Sequence, residues 1–150
     1  MMCYEWEGVK PDIVTIGKAL SGGFLPSSAA LANDNVMLTI KPGEHGSTFG
    51  GNPLSSVVSQ RAVEVIIEEK MVDNSLKMGE LFLKELAPLK NYDIVKSTRG
   101  RGLFCSVELH SGIKYDGNDL AHHLMTKRLA TKATHGTTIR LAPALVINEE

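Results

Sequence analysis

Residues 41–53, Lys-Pro-Gly-Glu-His-Gly-Ser-Thr-Phe-Gly-Gly-Asn-Pro, hold four glycines and two prolines. No regular backbone hydrogen-bonded element can run through such a stretch, so the chain folds as segments on either side of a loop. The loop ends in a helix start. Asn52 suits the N-cap, and Pro53 suits the first helical position, where its missing N–H costs nothing. Leu54, Val57, Val58, Ala62, Val65 and Ile66 then recur at helical spacing and predict one apolar stripe. Upstream, Ile13-Val14-Thr15-Ile16 lies between Pro11 and Gly17. A short β-branched run so bounded predicts a buried strand of an α/β sheet.

Downstream, the pattern predicts a helix near 75–87, capped by Asp73 or Ser75, with Leu81, Phe82 and Leu86 inward. Leu103, Cys105, Val107 and Leu109 alternate with Phe104, Ser106 and Glu108, as in a half-buried strand. Arg99 and Arg101 flank Gly100 and read as turn or interface charges. Residues 110–118 read as loop, with Asn118 or Asp119 capping a helix to about Leu129. Ile139 and Leu141, then Leu145 to Ile147, predict strands split by Pro143. The texture changes past Pro88, and the expected domain boundary falls after the first helix, near residue 70.

Charge and composition exclude several classes. Sixteen basic and seventeen acidic residues leave a net charge of −1, which argues against nucleic acid or an anionic membrane as the main partner. No apolar run approaches the roughly 20 residues of a membrane span. The opening Met1-Met2-Cys3-Tyr4-Glu5-Trp6-Glu7 has neither the basic nor the apolar region of a secretory signal. Cys3 and Cys105 make no disulfide framework, so reduced thiols in an intracellular compartment are expected. The five histidines show no zinc spacing, and no metal is expected. Cys105 reads as a small core residue and Glu64, Glu68 and Glu69 as a solvated helix face.

Three places could carry chemistry. Lys18 follows the predicted strand at its carboxyl end, where open α/β sheets place ligands, and small residues come after it. From position alone a solvated lysine is the commoner case. A lysine desolvated in such a site can be neutral and attack a carbonyl. Gly43, Gly46, Gly50 and Gly51, with the hydroxyls of Ser47 and Thr48, could let backbone approach a phosphate ahead of a capped helix; a flexible surface turn is the simpler alternative. The P-loop pattern is absent, since Ala19 follows Gly17-Lys18. Arg140 sits in the apolar run Thr138-Ile139-Arg140-Leu141-Ala142-Pro143. If buried, its guanidinium needs an anion. A substrate carboxylate and a structural Asp or Glu partner are equally open.

Taken together, these segments resemble one family. Lys10-Pro11-Asp12-Ile13-Val14-Thr15-Ile16-Gly17-Lys18-Ala19-Leu20-Ser21-Gly22-Gly23 is similar to the cofactor-lysine segment of the ornithine aminotransferase family. Gly43-Glu44-His45-Gly46-Ser47-Thr48-Phe49-Gly50-Gly51-Asn52-Pro53-Leu54 resembles its phosphate loop, a motif shared across the ω-aminotransferases. Lys132-Ala133-Thr134-His135-Gly136 and Ile139-Arg140-Leu141-Ala142-Pro143 resemble its carboxyl-terminal domain. The Gly17–Gly23 run and Thr134-His135-Gly136 favour the ornithine branch over the acetylornithine branch.

The resemblance implies an α/β fold of fold type I that uses pyridoxal 5′-phosphate. Residues 1–70 would be part of the cofactor-binding large domain, and residues 71–150 an α+β small domain. Lys18 matches the lysine that holds the cofactor and moves the proton. Thr48, with Ser47 beside it, matches the position that binds the cofactor phosphate of the neighbouring subunit in a homodimer. Arg140 matches the arginine that grips a carboxylate of the glutamate/2-oxoglutarate pair. The implied reaction passes the δ-amino group of ornithine to 2-oxoglutarate, releasing glutamate 5-semialdehyde. Family members are more than twice as long. The chain therefore reads as their carboxyl-terminal part, which alone should not turn over, and a non-catalytic dimer partner is the alternative class. Mitochondrial matrix and cytoplasm are not separated.

Overall fold

The computed structural model describes residues 1–149. Glu150, the last residue of the expected second domain, lies outside the described residues. The chain divides into two compact units, Met1–Glu69 and Lys70–Glu150.

In the first unit, strand β1 (Ile13–Ile16) pairs antiparallel with β2 (Ala29–Ala32), Ile13 opposite Ala32 and Ile16 opposite Ala29. The expected strand is present, but half-buried rather than buried. Among the described residues the pair forms its own two-stranded sheet, and alternate residues of β1 face water, with Ile13 56% exposed. A short helix α1 (Asp34–Met37) follows, capped by Asn33. After the irregular residues 41–52 comes helix α2 (Pro53–Glu68). Its cap is the one predicted: Asn52 Oδ1 accepts from the Ser55 N–H at 2.9 Å.

The inward face of α2 keeps Val58, Ala62, Val65 and Ile66 of the predicted apolar stripe, all half-buried, and departs from it at the amino end. Leu54 and Val57 are exposed, at 66% and 64%. Ser55 is buried instead, and Val58, Ser59 and Ala62 are half-buried. Small side chains win this face because the helix approaches the backbone of residues 19–28 closely. Ser59 Oγ donates to Ser27 Oγ at 2.8 Å, and a Cβ placed on Gly22 would lie 3.6 Å from Ala62 Cβ.

The second unit opens with helix α3 (Met71–Leu86). It starts earlier than the predicted 75, and neither Asp73 nor Ser75 caps it. The N-cap is Lys70, in a left-handed conformation with no side-chain cap, which leaves no sequence signal to read. Ser75 Oγ instead accepts from the Leu103 N–H at 3.1 Å. Strands β3 (Val95–Arg101), β4 (Phe104–Leu109), β5 (Lys132–Thr134) and β6 (Thr138–Leu141) form an antiparallel sheet in the order β3-β4-β6-β5. Arg99 and Arg101 therefore lie in a strand rather than a turn.

Helix α4 (Gly117–Thr126) is capped by Asp116, not by Asn118 or Asp119. Asp116 accepts from the backbone N–H groups of Asn118 and Asp119, and the Asp119 carboxylate accepts from the Asp116 N–H. Leu145 to Ile147 form no strand. One face of the sheet carries Cys105, Val107, Leu109, Ile139 and Leu141. They pack against Leu86, Phe82 and Leu83 of α3 and Leu120, Ala121 and Leu124 of α4. Burial pushes the Cys105 thiol above its ordinary pKa, as expected of a core residue and not of a nucleophile.

Candidate functional site

Lys18 lies two residues beyond the end of β1. It precedes a 3₁₀ turn at Ala19–Ser21 and has φ 56 and ψ −102. A lysine rarely takes a positive φ, and such strain, of about 1–3 kcal/mol, gathers at functional positions. A Cβ on Gly17 would come within 3.2 Å of Ser28 Cβ, tighter than ordinary contact. The Lys18 side chain is exposed, and its Nζ has no hydrogen bond or ion pair among the described residues. The desolvation weighed from the sequence is thus not seen at Lys18, and the amine is reached from solvent.

The loop before α2 folds back on itself. Ser47 Oγ accepts from the Gly50 N–H at 2.9 Å, and a Cβ on Gly50 would collide with Ser47 Cβ at 2.8 Å. Glycine is therefore the residue that lets this turn close. Ser47 lines a cleft of about 490 Å³ with Ser27, Ser28, Gly50, Gly51, Ser55 and Ser59, at the amino end of α2. Several serine hydroxyls around one space suit an oxyanion such as a phosphate. Lys18 and Thr48 are not among the cleft's lining residues, and Thr48 is exposed. Lys18, Ser47 and Thr48 thus belong to one unit, with only Ser47 in the cleft.

Arg140 belongs to the second unit, on β6. The apolar run around it does not bury it. Thr138, Ile139 and Leu141 are buried, while the Arg140 side chain is on the exposed face. Its guanidinium lies 5.8 Å from the centroid of the Phe104 ring, within cation–π range. Among the described residues it has no carboxylate partner. Its forked donors are available to an external carboxylate.

Two contributions were not singled out from the sequence. The serines Ser55 and Ser59 stand four apart on α2, a small-residue spacing visible in the sequence but outweighed there by the apolar stripe. Lys132 lies directly opposite Arg140 across β5 and β6, a juxtaposition that strand register alone creates.

The sequence profile of the class-III aminotransferase family matches residues 1–150. The chain belongs to the class-III aminotransferases. Within that family it is 50% identical, over its whole length, to a probable mitochondrial ornithine aminotransferase of Caenorhabditis elegans. It covers 35% of that relative. Among solved structures, ornithine delta-aminotransferase of Plasmodium falciparum matches with a TM-score of 0.92 and 44% identity, over 99% of this chain and 38% of that one. Acetylornithine aminotransferase of Elizabethkingia anophelis matches with a TM-score of 0.91 and 43% identity, over 99% and 37%. This class-III aminotransferase chain spans about a third of the length of the curated relatives it matches. The family is pyridoxal-phosphate-dependent, and a primary amine such as that of Lys18 and hydroxyls such as those of the serine-lined cleft are groups of the kind that hold a carbonyl and a phosphate.

Proposed function

We propose that this chain supplies the cofactor lysine, part of the phosphate site and the acceptor-binding arginine of an ornithine aminotransferase. In that reading residues 1–70 belong to the large, cofactor-binding domain and residues 71–150 to the small domain of a fold-type I enzyme. The observation that carries it is Lys18, a strained, solvent-open amine at the carboxyl end of β1, between Gly17 and a run of small residues.

Bound pyridoxal phosphate would supply the electron sink for amino-group transfer. Lys18 Nζ is its covalent anchor, and as a free amine it is the base that holds the proton removed from substrate carbon. The turn closed by Ser47 and Gly50 holds Thr48 in solvent, where its hydroxyl serves the phosphate site of the neighbouring subunit of a homodimer. Arg140 grips a carboxylate of 2-oxoglutarate or glutamate with paired N–H donors. The δ-amino group of ornithine thereby passes to 2-oxoglutarate, giving glutamate 5-semialdehyde and glutamate. An intracellular setting, matrix or cytoplasm, goes with this reading. Acetylornithine as the donor is the second reading, supported by the likeness to the Elizabethkingia enzyme.

The test is chemical. The protein is incubated with pyridoxal phosphate, reduced with borohydride, digested and mapped. Label is expected on the Lys18 peptide and absent from that peptide in Lys18→Ala. Label spread evenly over the surface lysines, with Lys18 no more reactive than the rest, would remove Lys18 from the site.

A further inference from the structure

Strand register decides what Arg140 meets on the outer face of the second unit's sheet. Arg140 of β6 stands opposite Ser106 of β4, so Phe104, two residues before Ser106, is its diagonal neighbour on that face. Diagonal neighbours on antiparallel strands lie about 7–8 Å apart, within reach of an aromatic ring and a long side chain. The two do meet, with the Arg140 guanidinium carbon 5.8 Å from the centroid of the Phe104 ring. Ser106, directly opposite, turns its hydroxyl to the Arg99 carbonyl and leaves the guanidinium to the ring. The backbone of Arg140 is already fixed from both sides. It pairs with Ser106 on β4 and Lys132 on β5, and the Thr131 hydroxyl donates to its carbonyl. What is left to be set is the direction of the long side chain, which is costly in rotamer freedom.

From this geometry we infer that Phe104 is a positioning residue for Arg140, its ring holding the guanidinium so that the forked donors are aimed before the acceptor's carboxylate arrives. A ring attracts a cation through its electron-rich face, and an arginine stacked in this way keeps its in-plane N–H donors. The contact is therefore compatible with a carboxylate at the donor edge, whether of the acceptor or of protein. A side chain ordered in advance lowers the cost of binding. Leucine at position 104 would fill similar space without the electron-rich face. The inference rests on the proposed role of Arg140 and adds a residue that acts through it.

The test compares the isotope-labelled chain with Phe104→Leu and Phe104→Tyr by NMR, alone and during titration with 2-oxoglutarate at constant ionic strength. The Arg140 δ-protons are expected to carry a ring-current shift in the wild type and in Phe104→Tyr, and to lose it in Phe104→Leu. Saturable amide shifts over 138–141 are expected on titration. Affinity should be about twofold to fivefold weaker in Phe104→Leu, the range of an exposed cation–π contact, and should match the wild type in Phe104→Tyr. The methyl signals of Val107 and Ile139, on the opposite face of the sheet, should stay in place in both variants, which separates a lost ring from a lost fold. Wild-type affinity in Phe104→Leu, with or without loss of the ring-current shift, overturns the inference, as does equal weakening in both variants. No saturable shift in the wild type, or wild-type affinity in Arg140→Gln, removes Arg140 itself, so failure of the underlying reading shows in a different measurement.

Discussion

Gly79 sits where helix α3 crosses the turn between β3 and β4. A Cβ built there would lie 2.3 Å from the carbonyl carbon and oxygen of Gly102. Two effects compete on replacing it with alanine. Helix propensity favours alanine by about 1 kcal/mol. The clash is with backbone, which cannot rotate away as a flexible side chain would, and overpacking of this kind costs about 1–3 kcal/mol, occasionally more. Sterics should win. Gly79→Ala is expected to destabilise the second unit by about 2 kcal/mol, read as a lower urea midpoint at unchanged slope. A variant at least as stable as the wild type would show that α3 does not press on this turn. Gly79 and Lys18 share a logic. Each carries a backbone requirement that its side-chain type alone does not announce, and only Lys18 had neighbours that drew attention to it.

At the scale of elements, β3 and β4 are held by charge as well as by backbone. The Glu108 carboxylate accepts from Lys96 Nζ at 2.7 Å, from Arg99 and from Ser97 Oγ at 3.1 Å. Hydrogen bonds from Lys96 first, then Arg99, hold its pKa down at about 2. A depressed carboxylate pKa contributes stability that is fully present above the unfolded value, near 4.3, and is lost as pH falls through the folded value. The second unit should therefore lose stability between about pH 5 and pH 2. Lys96 and Arg99 are exposed, so added salt should shrink the effect. Carboxyl NMR should show Glu108 titrating near the low end of that window. In Glu108→Gln the stability profile should flatten there, and an equally steep profile in the variant would assign the acid loss to other groups.

The same strands show what was legible in the sequence. The alternation in β4 was plain because one face meets a core and the other meets water. The Asn52-Pro53 start of α2 was plain because cap and ring chemistry are local. Strand β3 was hidden, since Arg99 and Arg101 belong to an outer face and Gly100 between them imitates a turn. The start of α3 was hidden because Lys70 caps by conformation and not by side chain. In the candidate site, local context left Lys18, the Ser47–Thr48 loop and Arg140 open between a structural and a chemical role, and only the resemblance singled them out. The Lys132–Arg140 opposition could not, because pairing register depends on both strands at once.

For the molecule as a whole, the two units differ in what holds them. Among the described residues, every buried hydrophobic side chain lies in the second unit: Met78, Leu86, Leu103, Cys105, Val107, Leu109, Ile139 and Leu141. The fully or largely buried side chains of the first unit are Ser21 and Ser55. Ser21 Oγ donates to the Leu25 carbonyl and accepts from the Leu25 N–H, a local clasp rather than a core. Burial of apolar area, at about 25 cal/mol per Å², is the main favourable term in folding, so stability should be concentrated in the second unit. The two-stranded pair β1–β2 is of a kind that is marginal by itself in water. Local opening should therefore expose β1 amides far more often than those of β4 and β6. Hydrogen exchange on the 150-residue chain is expected to protect Cys105, Val107 and Ile139 at least about a hundredfold more than Val14 and Ile16. Such a gap has a functional corollary. The lysine that would hold the cofactor sits on the weakly held unit, so ligand binding there should narrow the gap by favouring the folded form. Equal protection in the two units, with or without pyridoxal phosphate, would mean that the first unit is stabilised by something other than the contacts seen in it.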